Sequence, residues 1–310
     1  MIMLVDNIST TWGPNSLFTQ PVWQVGTAFQ ALYDNTDGLL DAWGAMWAVV
    51  TQVFKNDTHI LGMELINEPW AGDVIKDPAL LAPGVADRKS LQPAYEKLSH
   101  AIHDVDDTRL IFFEGVTWGH VGFDRVPGGP PYSDRSVLAY HHYEIPAGPR
   151  MWNTSYSEIE KRIADSQRLK SGLFLSEFAE AGGPGGDIWD MLTGACDRHG
   201  QSWASWEYKT FCKDDADQET SQCGSFGCCR TGFGGHMWLN ASDFPYDLAM
   251  SKLARTYATA IAGEMITSYF DAKTSIYTLA FAPNISCVLP TVIYTSGWCI
   301  SPLVSPLPPL

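Results

Sequence analysis

The sequence contains no long hydrophobic run and few basic residues. No apolar stretch reaches about 18 residues, so the sequence predicts no transmembrane helix. Lys and Arg total 20 against 35 Asp and Glu, which gives a formal net charge of -15. This balance argues against nucleic acid and against a strongly anionic surface as partners, and it leaves neutral sugars and lipids open.

The cysteines lack the spacing of common zinc sites. Four of the seven fall between residues 212 and 229, but this loop has no C-x2-C spacing and no paired histidines. Zinc is therefore the weaker alternative, and disulfide bonds in a secreted or luminal protein fit better. The odd count leaves at least one thiol without a partner in this chain. The cysteines are Cys196, Cys212, Cys223, Cys228, Cys229, Cys287 and Cys299.

A signal peptide is absent from the start, although other features are typical of secretion. The opening "MIMLVDNIST" has no positively charged region and is too short for a signal peptide. Five N-x-S/T sequons nevertheless favour a glycoprotein. We therefore expect the true N-terminus to lie upstream and the protein to be secreted or lysosomal. The sequons begin at Asn7, Asn56, Asn153, Asn240 and Asn284.

Short apolar runs alternate with amphipathic stretches along most of the chain. In one such stretch, Leu91, Tyr95, Leu98 and Ile102 recur at helical spacing. The alternation predicts parallel strands joined by crossover helices, in a sheet that is covered on both faces. The apolar runs occupy residues 60–66, 110–113, 137–140, 172–175 and 203–206.

Two α/β architectures fit this alternation: an open doubly wound sheet and a (β/α)8 TIM barrel. No G-x-G-x-x-G or Walker sequence follows any apolar run, which disfavours an open sheet that binds a nucleotide. Acidic and aromatic segments follow instead, among them "NEPW", "HHYEIP" and "SEFAE". Because barrels carry their chemistry at the C-terminal ends of their strands, we predict a TIM-barrel catalytic domain over residues 1–254.

The number of strands is too small for a complete barrel. The sequence offers five strands, or six if residues 2–5 form one, whereas a barrel needs eight. We therefore predict a barrel that lacks its first two to three βα units. Such a barrel would expose sheet edges and apolar interior surface, so we expect this chain alone to be poorly stable, with little or no activity.

The pattern changes after about Arg255. "SIYTLAF" and "TVIY" alternate as antiparallel strands do, which predicts part of a small C-terminal β domain over residues 255–300. Residues 301–310 form a Pro-rich tail, which we predict to be unstructured.

Two glutamates at predicted strand ends indicate glycoside hydrolysis. Glu68 follows the run "GMELIN", and alternation along that strand would place Glu64, Ile66 and Glu68 on one face. Glu177 follows the run "GLFLS", three or four βα units later, so a barrel would bring both carboxylates to the same mouth. One carboxyl group can then protonate the leaving oxygen while the other attacks the anomeric carbon. A separation of about 5–5.5 Å gives retention, and a wider gap gives inversion.

Further side chains fit a sugar site around these glutamates. His141 and Tyr143 are two apart and share a strand face, so Tyr143 can hydrogen-bond the nucleophile and His141 can bind a sugar hydroxyl. Trp206 ends the last apolar run and offers a stacking floor for a sugar ring. Glu114, also at a strand end, is interpreted as supporting. A satisfied core histidine remains the alternative for His141.

Several of these segments resemble family five of the glycoside hydrolases, in clan A. They are "GMELINEPW", "HHYEIP", "LSEFAE" and "SWEYK". The longer "ELINEPWAGD", "LAPGVADRKSLQPAYEKL", "IFFEGVTWG" and "VPGGPPY" are similar to the endoglycoceramidases, and "GSFGCCRTGFGGHMW" resembles their animal members. The match covers roughly residues 25–285.

The resemblance implies a retaining enzyme that cuts the O-glycosidic bond between oligosaccharide and ceramide in glycosphingolipids. It implies Glu68 as acid/base and Glu177 as nucleophile, with no metal and no cofactor. Asn67, His141, Tyr143 and Trp206 are implied as substrate-binding residues. The family's early Arg and its His-Gln-Asp segment have no counterpart here.

Three other interpretations remain open at the level of sequence. One is a different activity of the same family, such as a glucosylceramidase or a steryl-β-glucosidase, which differs in the length of the released glycan. Another is a non-catalytic remnant that binds lipid or a partner chain. The third is that the chain is an incomplete version of a full-length hydrolase.

Overall fold

A computed structural model describes residues 21–116, 121–143, 151–179, 187–205 and 254–296. These residues belong to two compact units. The first unit contains the described residues up to Tyr140, together with Arg162–Leu173. The second unit contains the described residues of His141–Lys161 and those from Phe174 onward.

Strands and helices alternate in the described part of the chain, as the sequence predicted. The helices are α1 (Pro21–Tyr33), α2 (Leu39–Phe54), α3 (Gln92–His103), α4 (Met151–Leu169) and α5 (Asp187–Arg198). The strands of this part are β1 (Gly62–Glu64), β2 (Leu110–Glu114), β3 (Ser136–Tyr143), β4 (Gly172–Ala179) and β5 (Ser202–Trp203). Short 3-10 turns occupy Thr36–Gly38, Pro78–Leu81 and Pro130–Arg135, and a π-helical turn, Asp87–Leu91, leads into α3.

The five strands form one sheet in sequence order, from β1 to β5. Where the register is described the pairing is parallel: Glu64 lies opposite Phe112, Glu114 opposite Ala139, and Leu175 opposite Trp203. The predicted parallel α/β sheet is therefore confirmed, with parallel strands joined by helical crossovers.

The core of the first unit lies between β1, β2 and the helices that cover them. Ile111 and Phe113 on β2 are fully buried, as are Leu98 and Ile102 on α3. Alternate residues of β2 thus face an apolar interior, and α3 covers them with the stripe that its spacing predicted. Burial of each such side chain contributes about 1.5–3 kcal/mol before the entropy cost of ordering is counted.

Arg109 joins the end of α2 to the start of the sheet. Its side chain is 9% exposed and pairs with Asp106, with Nε 2.8 Å from Oδ2. The same guanidinium donates to the carbonyl oxygens of Phe54 at 2.8 Å and Lys55 at 2.6 Å, at the C-terminal end of α2. It also donates to the carbonyl of Ile60, just before β1. One buried cation thus supplies additional donors to carbonyl oxygens at the end of this helix.

Asp87 accepts hydrogen bonds from two backbone N–H groups that follow β2 in the sequence. Its Oδ1 accepts from the N–H of Val116 at 2.9 Å, and its Oδ2 accepts from the N–H of Gly122 at 2.7 Å. Burial raises the pKa of this carboxyl, and the two N–H donors and the nearby Arg88 oppose that rise. Gly122 must be glycine, because a Cβ there would lie 2.2 Å from the backbone of Gly84.

Antiparallel pairing in residues 254–296 agrees with the predicted change of pattern after Arg255. The strands are β6 (Tyr257–Ala260), β7 (Gly263–Asp271), β8 (Ile276–Pro283) and β9 (Val292–Tyr294). β7 pairs with β8 and β6 pairs with β9, and both pairs are antiparallel.

Within the second unit, Arg255 fastens helix α5 to strand β7. Its Nη2 donates to Asp197 Oδ2 at 2.6 Å and to the Phe270 carbonyl at 2.8 Å. The same Asp197 oxygen accepts the N–H of Phe270 at 3.1 Å. A β strand of the C-terminal segment is thereby held to a helix of the α/β segment by buried, charge-assisted hydrogen bonds.

Two cysteines lie in the described residues, and both are free thiols. Cys196 is buried in α5, where burial raises the pKa of its thiol to about 12, and Cys287 is exposed. The other five cysteines lie outside the described residues, so the disulfide bonds stay a prediction. Among the described helices, none is both long enough and apolar enough to cross a membrane.

We expect Arg109→Lys to lower the free energy of unfolding by about 2–4 kcal/mol. A lysine ammonium lacks the planar fork, so it cannot pair with the buried Asp106 and also donate to the α2 carbonyls, and these hydrogen bonds are lost. Urea unfolding followed by circular dichroism measures the change. Arg125→Lys, at a half-exposed ion pair with Glu96, is the matched control and should change stability by less than about 1 kcal/mol. Equal effects of the two substitutions would contradict this role for Arg109.

We expect Asp87→Ala to destabilise the fold more than Asp87→Asn does. Alanine leaves the buried N–H groups of Val116 and Gly122 without acceptors, at a cost of about 1–3 kcal/mol each, whereas asparagine retains one acceptor oxygen. Urea unfolding of both variants measures the order, with Asp124→Ala as an exposed control. The role of Asp87 would be refuted if Asp87→Ala were as stable as the parent chain.

Candidate active site

The strand that leads to Glu68 is shorter than the sequence predicted. β1 ends at Glu64, and one more hydrogen bond, from Leu65 N to the Phe112 carbonyl at 3.0 Å, follows it. The prediction that Glu64, Ile66 and Glu68 share one face of a strand is therefore wrong.

Glu68 has an unusual backbone conformation after this strand. Its φ is +46°, in the left-handed region that non-glycine residues seldom adopt. The proline that follows adds to the constraint, because residues before proline favour extended conformations. Asn67 and Glu68 are both exposed, so their polar side chains are accessible from solvent. Backbone strain at an exposed acid, just past a strand end, is typical of functional sites.

The side chain of Glu114, the last residue of β2, contacts the backbone of Glu68. Its Oε2 accepts from the N–H of Glu68 at 2.7 Å, although the side chain of Glu114 is only 4% exposed. The hydroxyl of Tyr95 in turn donates to the backbone carbonyl of Glu114 at 2.9 Å. Burial raises the pKa of that tyrosine well above its usual value, so its hydroxyl stays a donor.

A second group of predicted site residues lies on β3 and β4. The hydroxyl of Tyr143 donates to Oε1 of Glu177, the hydrogen bond that the sequence predicted. Nδ1 of His141 lies 3.7 Å from the same oxygen. The side chains of His141 and Glu177 are 9% and 16% exposed, so this group is largely shielded from water. A donor hydroxyl and an imidazole thus converge on one carboxylate at the end of the sheet.

These contacts follow from two features of the sequence. His141 and Tyr143 are two apart on β3, so they project from the same side of the strand. Glu177 lies near the C-terminal end of β4, the neighbouring strand in the sheet. The apolar stretch of β4, which includes the buried Leu175, precedes Glu177 and forms the strand that positions it.

Trp206, the predicted stacking floor, lies outside the described residues. The structure therefore brings together Tyr143, His141 and Glu177 in the second unit, and it places Asn67 and Glu68 beside Glu114 in the first.

Sequence reasoning did not foresee the contacts that two acidic residues make in this region. The contact of Glu114 with the backbone of Glu68 was not foreseen, although its position at a strand end gave the signal for a supporting role. Asp87 was not singled out, because a lone acid between "LAPGVA" and "RKSL" has no local pattern that marks it as buried.

Two family models match this chain. Residues 19–211 match the model described as Cellulase (glycosyl hydrolase family 5), and residues 255–301 match the glycoside hydrolase family 5 C-terminal domain. The first match alone covers more than half of the chain.

Curated relatives and solved structures agree with these family matches. The chain is 40% identical to an endoglycoceramidase of Cyanea nozakii over 296 residues, which cover 91% of this chain and 52% of the relative. It is 42% identical to an endoglycoceramidase of Hydra vulgaris over 265 residues, or 84% of this chain and 47% of the relative. A Rhodococcus sp. endo-glycoceramidase II structure, described as a lactosyl-enzyme intermediate, matches with a TM-score of 0.66 and 18% identity, over 87% of this chain and 57% of that chain.

The structural match, at this low identity, bears on the fold alone, and it agrees with the α/β sheet described above. The chain spans about half the length of the curated relatives that it matches. From the family model that covers residues 19–211, the chain belongs to glycosyl hydrolase family 5.

Proposed function

We propose that this protein is a retaining glycoside hydrolase that cleaves the bond between oligosaccharide and ceramide in glycosphingolipids. The observation that carries the proposal is the carboxylate of Glu177, which accepts from Tyr143 and lies near His141 at the end of a family 5 sheet. The names of the Cyanea nozakii and Hydra vulgaris relatives support the ceramide glycoside as substrate. The lactosyl-enzyme intermediate of the Rhodococcus enzyme supports a covalent mechanism.

In the first step, Glu177 acts as the nucleophile. Its ionised carboxylate attacks the anomeric carbon of the sugar that is linked to ceramide, and a glycosyl-enzyme ester forms. Glu68, in its protonated form, gives its proton to the glycosidic oxygen as that bond breaks, so ceramide leaves as a neutral alcohol. The hydrogen bond from Tyr143 favours the ionised form of Glu177 and fixes the direction of its attack.

In the second step, water replaces the enzyme at the anomeric carbon. Glu68, now ionised, takes a proton from the water as it attacks, and the ester bond to Glu177 breaks. The oligosaccharide leaves with its original anomeric configuration, and both glutamates return to their starting protonation states. The exposure of Glu68 suits a group that must exchange protons with a leaving group and then with water.

Asn67, His141 and Trp206 complete the proposed sugar site. Asn67 and His141 offer polar atoms to sugar hydroxyls, and Trp206 offers an aromatic face to the apolar side of a sugar ring. We also propose that the domains follow the sequence prediction, with the α/β catalytic domain over residues 1–254, a β domain over 255–300 and a tail over 301–310. A secreted or lysosomal glycoprotein, with disulfide bonds and a role in glycosphingolipid breakdown at a membrane or micelle surface, is consistent with this activity.

The test is release of lactose from lactosylceramide in detergent micelles by the 310-residue chain, at high protein concentration and with long incubation because the sequence predicts low activity. We expect Glu68→Gln to lower release about a hundredfold or more, and Glu177→Gln to abolish it, because the acid/base and the nucleophile are removed in turn. Glu158→Gln, a change at a surface pair with Lys161, is the matched control and should retain the parent activity.

The products separate the proposal from its alternatives. Release of intact lactose supports cleavage at ceramide, whereas glucose from glucosylceramide or from a steryl glucoside, with lactosylceramide left intact, would indicate the other family activities. Binding of lactosylceramide without any release would indicate a non-catalytic chain and would overturn the proposal. The low activity expected from the sequence stays a prediction, which the same assay measures against a complete relative.

A further inference from the structure

We propose that Glu114 is a positioning residue that holds the backbone of Glu68 in the conformation needed for proton transfer to the leaving group. This inference rests on the proposed function, because it assumes that Glu68 is the acid/base. It concerns a contact within the first unit of the structure, and it assigns a task to a buried carboxylate that the reaction steps above do not use.

The contact joins a buried acceptor to a strained donor. Oε2 of Glu114 lies 2.7 Å from the nitrogen of Glu68, and Glu114 is 4% exposed while Glu68 is exposed. The φ of Glu68 is +46°, which its own Cβ and the ring of the following Pro69 both disfavour. A strained backbone conformation persists only if it makes an interaction that the relaxed conformation would lose. The charge-assisted hydrogen bond from Glu68 N–H to Glu114 is such an interaction.

Glu114 is itself held firmly enough to act as an anchor. It is the last residue of β2 and is paired in register with Ala139 of β3. The buried hydroxyl of Tyr95 donates to its carbonyl at 2.9 Å. Two residues further on, the N–H of Val116 donates to Asp87 at 2.9 Å. The backbone on both sides of the Glu114 side chain is therefore fixed by buried hydrogen bonds that do not involve Glu68.

Loss of the hydrogen bond to Glu114 should slow only the step in which Glu68 gives its proton to the leaving group. Without the bond from Glu114, the segment at Glu68 is free to move toward an extended conformation, which moves the carboxyl group away from the glycosidic oxygen. A displacement of about 1 Å at a catalytic group can cost about a hundredfold in rate. The loss falls on substrates whose leaving group needs protonation, since a good leaving group departs without an acid.

The kinetic test compares two substrates that differ only in their leaving group, using the 310-residue chain. One is an alkyl β-lactoside, which needs an acid, and the other is 2,4-dinitrophenyl β-lactoside, which does not. For Glu114→Ala we expect kcat/KM to fall by about tenfold to a hundredfold with the alkyl glycoside and by less than about threefold with the dinitrophenyl glycoside. A general loss of folded protein would lower both values equally, and that outcome would overturn the proposal.

Three variants accompany Glu114→Ala. Glu114→Gln retains an acceptor oxygen, so we expect it to restore kcat/KM with the alkyl glycoside to within about threefold of the parent chain. Glu68→Gln should show the same dependence on leaving group as Glu114→Ala. Glu96→Gln removes a carboxylate that pairs with Arg125 at the surface, and it should leave both substrates unaffected.

A second measurement does not depend on activity. In a chain labelled with 15N-glutamate, the Glu68 amide should exchange slowly with solvent in the parent and in Glu114→Gln, and faster in Glu114→Ala. If the parent chain cleaves neither lactoside, the proposed function fails and the exchange result alone decides whether Glu114 holds the Glu68 backbone. Equal exchange in the parent chain and in Glu114→Ala would overturn the positioning role even if the chain is an active hydrolase.

Discussion

The hydrogen bond from the backbone of Glu68 to the buried carboxylate of Glu114 is the constraint on which the conformation of the proposed acid/base depends. A carboxylate placed in the interior needs donors, because an unpaired buried charge is costly. The N–H of Glu68 is one such donor, at 2.7 Å. The hydrogen bond that stabilises the buried Glu114 carboxylate therefore also fixes the backbone of the exposed Glu68. It holds Glu68 in a conformation that the local sequence alone does not favour.

Much of this arrangement could be predicted from local patterns. The apolar runs and the helical spacing of Leu91, Tyr95 and Leu98 were sufficient for parallel strands and covering helices, because one buried face imposes a period on the sequence. The link between Tyr143 and Glu177 was also predictable, since residues two apart on β3 share a face and neighbouring parallel strands end at the same edge.

The parts that could not be predicted depend on contacts between residues far apart in sequence. The left-handed φ of Glu68 has no signal in "INEPW", where Pro69 argues for an extended residue. The short β1 strand is set by where pairing with β2 stops, which the apolar run through Ile66 does not reveal. Asp87 and Arg109 satisfy backbone groups about 30 to 55 residues away, and no periodicity marks a side chain for that task.

The three glutamates differ in environment, and this difference supports the separate tasks proposed for them. Glu114, 4% exposed and bonded to a backbone N–H, suits a fixed hydrogen-bond acceptor. Glu177, 16% exposed and bonded to Tyr143, suits a nucleophile that must stay ionised and keep one orientation. Glu68 is exposed, which suits a group that loses and regains a proton in each cycle. Burial and hydrogen bonding thus support three different proposed roles for one chemical group.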